Sequence, residues 1–298
     1  MTRSYISHVL RFAPSPNGYL HLGHAFSALT NQEMASASGG SLLLRMEDID
    51  VERCRAEFEQ AIYEDLAWLG LSWEAPVRRQ SEHFDAYAEA LTSLEQRGLV
   101  YPCFCARSDV VSAVAERPDW RRDPDGSPLY PGTCKHLSSD ERSARLAAGQ
   151  PAALRIDMAA ALAQVRQKIV WREYGSGAER RDILADPNLW GDAVLSRKDI
   201  PASYHIAVVV DDAMQGITDV VRGEDLLMAT SLHRLLQILL DLPAPVYHHH
   251  ELLRDAAGRK LSKSLRAKSL RAMRREGVTP AEIKDQLGIA QRVFAFAS

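Results

Sequence analysis

Hydrophobic and polar positions divide the first hundred residues into short, well-punctuated elements. An apolar run from Ile6 ends at Arg11, Phe12 and Ala13; Pro14 and Pro16 exclude helix from the adjoining loop, Gly18 permits a tight turn, and an Ala/Leu-rich helical pattern over 24–37 begins after Leu20. Beyond Gly39 and Gly40 the segment SLLLRMED reads as a buried strand, so 1–45 is a strand-helix-strand of the length that makes a parallel crossover. Apolar spacing through Ala56, Phe58, Ile62, Leu66 and Leu69 predicts an amphipathic helix over 51–69 that stops at Gly70, with Asp50 as its cap. A second helix is predicted from a Ser81 cap to Gly98, with Tyr87, Ala90, Leu91 and Leu94 inward. Between the two, SWEAPVRRQSE reads as a connection whose Arg78 and Arg79 are solvated.

At YPCFC the pattern changes. Residues 99 to about 190 hold much of the chain's Pro, Gly and charge, and read as an insertion that contains strand-like PAALRID and the amphipathic QKIVWREY. AVVVDD and ITDVVRG then return to a buried-strand pattern, 226–240 is a mainly apolar helix with His233 at its surface or core edge, and DLPAPVYHHHELL gives a strand. Three successive histidines on an extended segment alternate faces and do not suit one metal; of His248 to His250, His250 at most packs near a site. KLSKS at 260–264 comes after Gly258 as a loop, and two short helices succeed it, the second started by Thr279, Pro280 and Glu282.

Composition changes this picture little, with 46% hydrophobic and 25% charged residues in 298. That length predicts two packed units or more. No run reaches the roughly 18 apolar residues of a membrane span and no secretory leader is evident, so a cytoplasmic enzyme is expected. The net charge of −3 argues against bulk nucleic-acid binding, but residues 251–298 carry eleven Lys/Arg against five Asp/Glu, a balance of +6 that leaves −9 on the rest. That basic end suits RNA contact or a solvated basic helix equally.

The chemistry gathers at two stretches. RFAPSPNGYLHLGH at 11–24 puts His21, Gly23 and His24 where a strand-loop-helix unit opens; a helix start with free N–H groups, a bare glycine and two imidazoles outlines a phosphate site. KLSKS supplies Lys260 and Lys263 to reach the same polyanion from the far end of the chain. Glu47, Asp48 and Asp50 succeed a strand's carboxyl end, where open sheets place ligands, and Glu47 is the better site candidate. Arg222 comes after apolar VV beside Gly223 and is suited to a carboxylate, or to an ordinary salt bridge with Glu224, Asp225 or Asp219. Cys103, Cys105 and Cys134 offer three thiolates toward a tetrahedral zinc site that wants four ligands; Tyr130 and His136 flank Cys134, and ligand chemistry alone favours the imidazole. Reduced thiols without metal are the plainer alternative, and Cys54 reads as simply buried.

Together RFAPS, HLGH, Glu47, Tyr204, Arg222 and KLSKS resemble the class I aminoacyl-tRNA synthetases, and within them the glutamyl-tRNA synthetase branch. The short chain, and the Cys-x-Cys with Tyr-x-x-x-Cys pattern, resemble the glutamyl-queuosine tRNA(Asp) synthetases. The resemblance implies an α/β fold, a Rossmann-type doubly wound parallel sheet split into 1–98 and 187–245, with a zinc-bearing insertion at 99–186 and a C-terminal helical, stem-contact-like region at 246–298. It implies catalysis by His21, His24, Lys260 and Lys263, ATP held by His21, Gly23, His24 and Lys263, and glutamate held by Arg11, Phe12, Ala13, Pro14, Ser15, Glu47, Tyr204 and Arg222. It favours Tyr130 over His136 as fourth ligand of one structural Zn²⁺. ATP with Mg²⁺, L-glutamate and queuosine-containing tRNA(Asp) are the implied substrates, a monomer the implied state, and no membrane is involved. Asn17 departs from the Thr usual in the branch. Full-length glutamyl-tRNA synthetases continue into a helical anticodon-reading domain beyond the length of this chain. A truncated glutamyl-tRNA synthetase charging a tRNA 3′ end, a non-catalytic RNA-binding paralogue and a small nucleotidyltransferase are the competing readings.

Overall fold

Val9–Phe12 forms β1 in the computed structural model, which describes residues 7–174, 179–253 and 268–289. The chain turns through the proline-bearing loop into α1 (Leu22–Ser38) and returns as β2 (Ser41–Met46), parallel to β1 with Val9 opposite Ser41. The return is tight because Gly40 has no side chain: a Cβ there would lie 2.2 Å from the His8 carbonyl oxygen. α2 (Ala56–Trp68), β3 (Glu74–Arg79), α3 (Phe84–Gln96) and β4 (Val100–Cys103) come next. Then come α4 (Arg107–Ala113), α5 (Ser139–Ala147), β5 (Ala153–Ile156), α6 (Met158–Gln164), β6 (Val170–Tyr174), β7 (Arg180–Leu184) and β8 (Val194–Ser196). α7 (Tyr204–Met214), β9 (Asp219–Gly223), α8 (Ala229–Leu239), β10 (Val246–His250), α9 (Leu270–Arg275) and α10 (Pro280–Gln286) complete the order.

Seven strands make the main sheet in the order β3-β2-β1-β9-β10-β6-β7, parallel throughout except for β7, which runs against β6 at the edge. Successive residues of its strands enter different clusters: Leu10, Phe12, Leu42, Leu44 and Val221 pack with α1 and α2, whereas Val9, Leu43, Val220 and Tyr247 pack with Trp171 and Ile217. Both faces of the sheet are therefore covered, as a parallel sheet requires. From β1 the chain works outward to β2 and β3 on one side, and β9 and β10 lie on the other. The carboxyl ends of β1 and β9 thus flank the point where strand order reverses, the position at which such sheets bind ligands. A second sheet, β4-β5-β8, is antiparallel.

Several expectations change. AVVVDD is the middle of α7, not a strand: Ile206 to Asp212 are all buried, so the helix has no polar face to reveal its period. SWEAPVRRQSE is not a bare connection but contains β3, and its arginines are paired, Arg78 with Asp211 at 2.7 Å and Arg79 with Glu59 at 2.8 Å. The first predicted helices shift inward, α2 starting at Ala56 behind an Arg55 cap and α3 at Phe84 behind His83. Asp50 instead meets Arg197 at 3.3 Å. β6 and β7 belong to the main sheet although QKIVWREY falls within 99–186, and β8 joins the small sheet although it falls after 187. The second short C-terminal helix begins as read, Thr279 and Glu282 forming a reciprocal cap. Leu270, Met273, Ile283 and Leu287 pack α9 and α10 on the cluster beneath α1 and α2.

Candidate active site

Phosphate-type donors at the start of α1 arise from how the helix caps itself. His21 is the cap residue, and its Nδ1 accepts the Gly23 N–H at 3.0 Å; His24 Nδ1 accepts the His21 N–H at 3.2 Å. A neutral imidazole whose Nδ1 accepts carries its proton on Nε2, so both rings are held as Nε2–H donors. Their centroids are 3.9 Å apart. Gly23 is required there, because a Cβ would sit 2.9 Å from the His21 ring. The N–H groups expected to be open are partly engaged, those of His24 and Ala25 by the His21 carbonyl. The imidazoles, rather than the bare helix end, present protons.

Beside them opens a cavity of about 770 Å³ at the carboxyl ends of β1 and β9. The structure brings Arg11, Phe12, Ala13, Pro14, Ser15, Glu47, Tyr204 and Arg222 to its walls together with His21, Gly23 and His24. Lys260 and Lys263 lie outside the described residues. The described flanks of that stretch are at the cavity: Leu253 lines it, and Ser269 bridges to His21.

Charge on the β1–β2 side is balanced internally. Arg11 donates from Nε to Asp212 at 3.0 Å, and the fully buried Arg45 donates to Asp212 at 2.7 Å and to Glu47 at 3.2 Å. Burial works to raise the Asp212 carboxyl, and Arg11 and Arg45 outweigh it, holding it below the usual carboxylate range. Burial raises the Glu47 carboxyl, with Arg45 and Arg11 opposing. A carboxylate so desolvated is ready for a cation.

Arg222 differs. It is 5% exposed, and each of its donors has a neutral acceptor: Nε meets His249 Nε2 at 3.2 Å, Nη1 meets Tyr204 Oη at 3.2 Å and His233 Nδ1 at 3.3 Å, and Nη2 meets Thr230 Oγ1 at 2.7 Å and the Leu226 carbonyl at 3.1 Å. Among the described residues no carboxylate pairs with it. The alternative salt bridges do not form; Asp219 instead binds His8 at 2.7 Å and Tyr174 at 2.6 Å. A buried guanidinium without a counter-ion among the described residues favours an anion near it. Tyr204 opens α7 as its first residue, and burial raises its hydroxyl pKa, keeping it a donor.

Sequence reasoning missed Asp212, His249, Thr230 and the role of His233. His233 is 1% exposed and not at the surface; its Nδ1 accepts from Arg222 and its Nε2 donates to His205 at 3.1 Å. His250 lines the cavity and packs edge-on against Phe26 at 4.9 Å, but the functional contact of the triplet is made by His249. The signal for Asp212 was an acidic pair closing an otherwise apolar run, which calls for buried cations.

The thiols converge separately. Ligand atoms of Cys103, Cys105 and Cys134 lie within 4.8 Å of one another, with Cys105 and Cys134 Sγ at 3.5 Å. Tyr130 Oη lies 3.5 Å from Cys105 Sγ and accepts the Cys134 N–H at 2.7 Å. No His, Asp or Glu joins them among the described residues, and His136 lines a neighbouring cavity whose wall Tyr130 shares. A tetrahedral metal with thiolate bonds of about 2.3 Å sets sulfur spacings of about 3.8 Å, within the compass of this group, so it can hold one.

The catalytic domain of class I tRNA synthetases (E and Q) matches residues 8–289. A glutamyl-Q tRNA(Asp) synthetase of Rhodobacter capsulatus is 44% identical over 286 residues, spanning 94% of this chain and 100% of that protein. A glutamate–tRNA ligase of Aquifex aeolicus is 37% identical over 93% of this chain but only 56% of its own length. Among solved structures, a glutamate tRNA ligase from Elizabethkingia meningosepticum in complex with its amino acid superposes with a TM-score of 0.69 at 28% identity, covering 91% of this chain and 53% of that one.

Proposed function

The chain belongs to the class I tRNA synthetases of the glutamate and glutamine branch, and we propose that it activates L-glutamate with ATP and transfers the glutamyl group to the queuosine of tRNA(Asp). The observation that carries the amino-acid half is Arg222, a buried cation whose partners among the described residues are all neutral, in one cavity with Glu47 and Arg11. Arg222 and Arg11 suit the two carboxylates of glutamate, Glu47 its ammonium, and the Tyr204 hydroxyl donates to a carboxylate oxygen.

In the first step a glutamate carboxylate oxygen bonds to the α-phosphorus of ATP as the bond to the bridging oxygen breaks, and pyrophosphate leaves with Mg²⁺. The Nε2–H groups of His21 and His24 stabilise charge gathering on the phosphates, a positioning and electrostatic task that needs no protein nucleophile. On the sequence reading, Lys263, with Lys260, is assigned to the departing pyrophosphate. In the second step a hydroxyl of the queuosine cyclopentenediol attacks the activated carbonyl, giving an ester and AMP. Full coverage of the Rhodobacter capsulatus protein, against just over half of the Aquifex aeolicus ligase, supports queuosine over a tRNA 3′ end as acceptor. Cys103, Cys105, Cys134 and Tyr130 would hold one structural Zn²⁺, which fastens the loops after β4; Tyr130, not His136, is the fourth ligand in this reading.

Labelled-pyrophosphate exchange into ATP that depends on glutamate without tRNA is expected. Nuclease digestion of queuosine-containing tRNA(Asp) after incubation should then show the added glutamyl mass on the queuosine nucleoside. Glutamate on the terminal adenosine, with queuosine bare, rejects the acceptor assignment.

A further inference from the structure

Arg222 can serve a carboxylate only if its plane is fixed, and the fixing group on its Nε edge is an imidazole that has to accept rather than donate. His249 Nε2 receives the Arg222 Nε–H at 3.2 Å and the Thr230 hydroxyl at 3.1 Å. Histidine alone does not prefer that tautomer over its alternative strongly enough to guarantee it. Its Nδ1 lies 2.9 and 3.0 Å from the two carboxylate oxygens of Glu173, and the His249 backbone N–H also binds Glu173 at 2.8 Å. Oε2 of Glu173, the oxygen 2.9 Å from Nδ1, also accepts the Trp171 indole N–H at 2.9 Å.

We propose that Glu173 on β6 is a positioning residue for glutamate recognition: by accepting the Nδ1–H of His249 it leaves Nε2 as the acceptor that orients Arg222. The proposal rests on glutamate being the substrate. Glu173 is not among the residues lining the cavity, and its link to Arg222 runs through His249. Burial lowers the His249 pKa with Arg222 adding to it, against the pull of Glu173, so the ring is neutral, while the bonds from His249 and Trp171 outweigh burial and keep Glu173 ionised. A neutral ring between a carboxylate and a guanidinium has one proton arrangement that satisfies both neighbours.

Glu173→Gln breaks that arrangement while preserving shape. Its amide must offer N–H either to the Trp171 indole N–H or to His249 Nδ1; the latter moves the ring proton to Nε2, against Arg222. His249→Gln removes the imidazole whose tautomer Glu173 sets. Glu173→Gln is expected to raise the glutamate KM about tenfold or more, with kcat and the ATP KM within about twofold of wild type. In the His249→Gln background the same change should add less than about twofold, a coupling that a merely structural loss would not show. Ring nitrogen NMR of His249 should report an Nδ1–H tautomer in the wild type and its loss in Glu173→Gln. Equal rises in both KM values, independent effects in the double variant, or an unchanged tautomer overturn the proposal. A wild type whose exchange ignores glutamate overturns the substrate reading instead, and the NMR result then decides the Glu173 link alone.

Discussion

Asp65 shows what an uncompensated charge does where no ligand awaits it. It is fully buried on α2, neither carboxylate oxygen has a hydrogen-bond partner among the described residues, and the nearest cation, Arg274 Nη1, is 4.0 Å away. Burial pushes its carboxyl up to about 6, with Arg274 opposing. A folded pKa above the unfolded value near 3.8 means that the protonated carboxyl favours the fold below that value, and that this contribution is lost as pH rises through 6. Asp65→Asn should therefore raise stability by about 2 kcal/mol at pH 8 and change it little at pH 4, read from urea unfolding at both values. A gain that is equal at both pH values refutes the assignment. Arg222 differs from Asp65 in bordering an open cavity, where a ligand can supply the missing counter-charge. Arg11 and Tyr204 were singled out only by the family resemblance, whereas Glu47 and Arg222 were legible because each sits at the carboxyl end of a strand. Asp212, His249 and Glu173 were not, since their meaning comes from partners some 200, 27 and 76 residues away.

At the scale of elements, legibility tracked the presence of two different faces. α2 and α3 each keep an exposed side and were read as helices; α7, buried all round from Ile206 to Asp212, gave the same apolar run as a central strand. β3 hid behind the opposite problem, since its residues are exposed or half-buried at a sheet edge and arginine-rich. The three thiols were legible as a group, but which of Tyr130 and His136 lies beside them depends on loop geometry that spacing does not encode. Around it the chain has few resources: α5 has no buried residue and α4 only Val110, so segments 104–150 contribute little core of their own. A metal held by the proposed ligands would take the place of packing there. Cys105→Ser is expected to lose bound zinc, measured by elemental analysis, and to open these loops to proteolysis while glutamate-dependent exchange persists. Tyr130→Phe should retain the three thiolates but weaken zinc retention against a chelator. Undiminished retention in Tyr130→Phe removes tyrosine from the ligand set.

Across the whole molecule, the site is assembled from two parts of the chain that meet at the reversal of strand order, β1 and β2 on one side, α7 and β9 on the other. Asp212 joins them: it receives Arg11 from β1 at 3.0 Å and Arg45 from β2 at 2.7 Å, and sits on the helix that Tyr204 opens. The same carboxylate therefore helps close the fold and orients one of the two arginines facing the cavity. Asp212→Asn leaves two buried guanidiniums short of one negative charge, a change expected to cost about 3–5 kcal/mol in urea unfolding. Because the folded carboxyl lies below its unfolded value, its contribution is present above about pH 4 and is lost as pH falls through the lower folded pKa. Wild type and Asp212→Asn should accordingly converge in stability under acid and diverge toward neutrality. Glutamate affinity should fall in the variant along with stability, since Arg11 loses the acceptor on its Nε, while ATP affinity, assigned in the proposed function to His21 and His24, is expected to change less. A variant destabilised to the expected extent but binding glutamate as the wild type does would show that Arg11 is set by other contacts, and would confine Asp212 to holding the halves together.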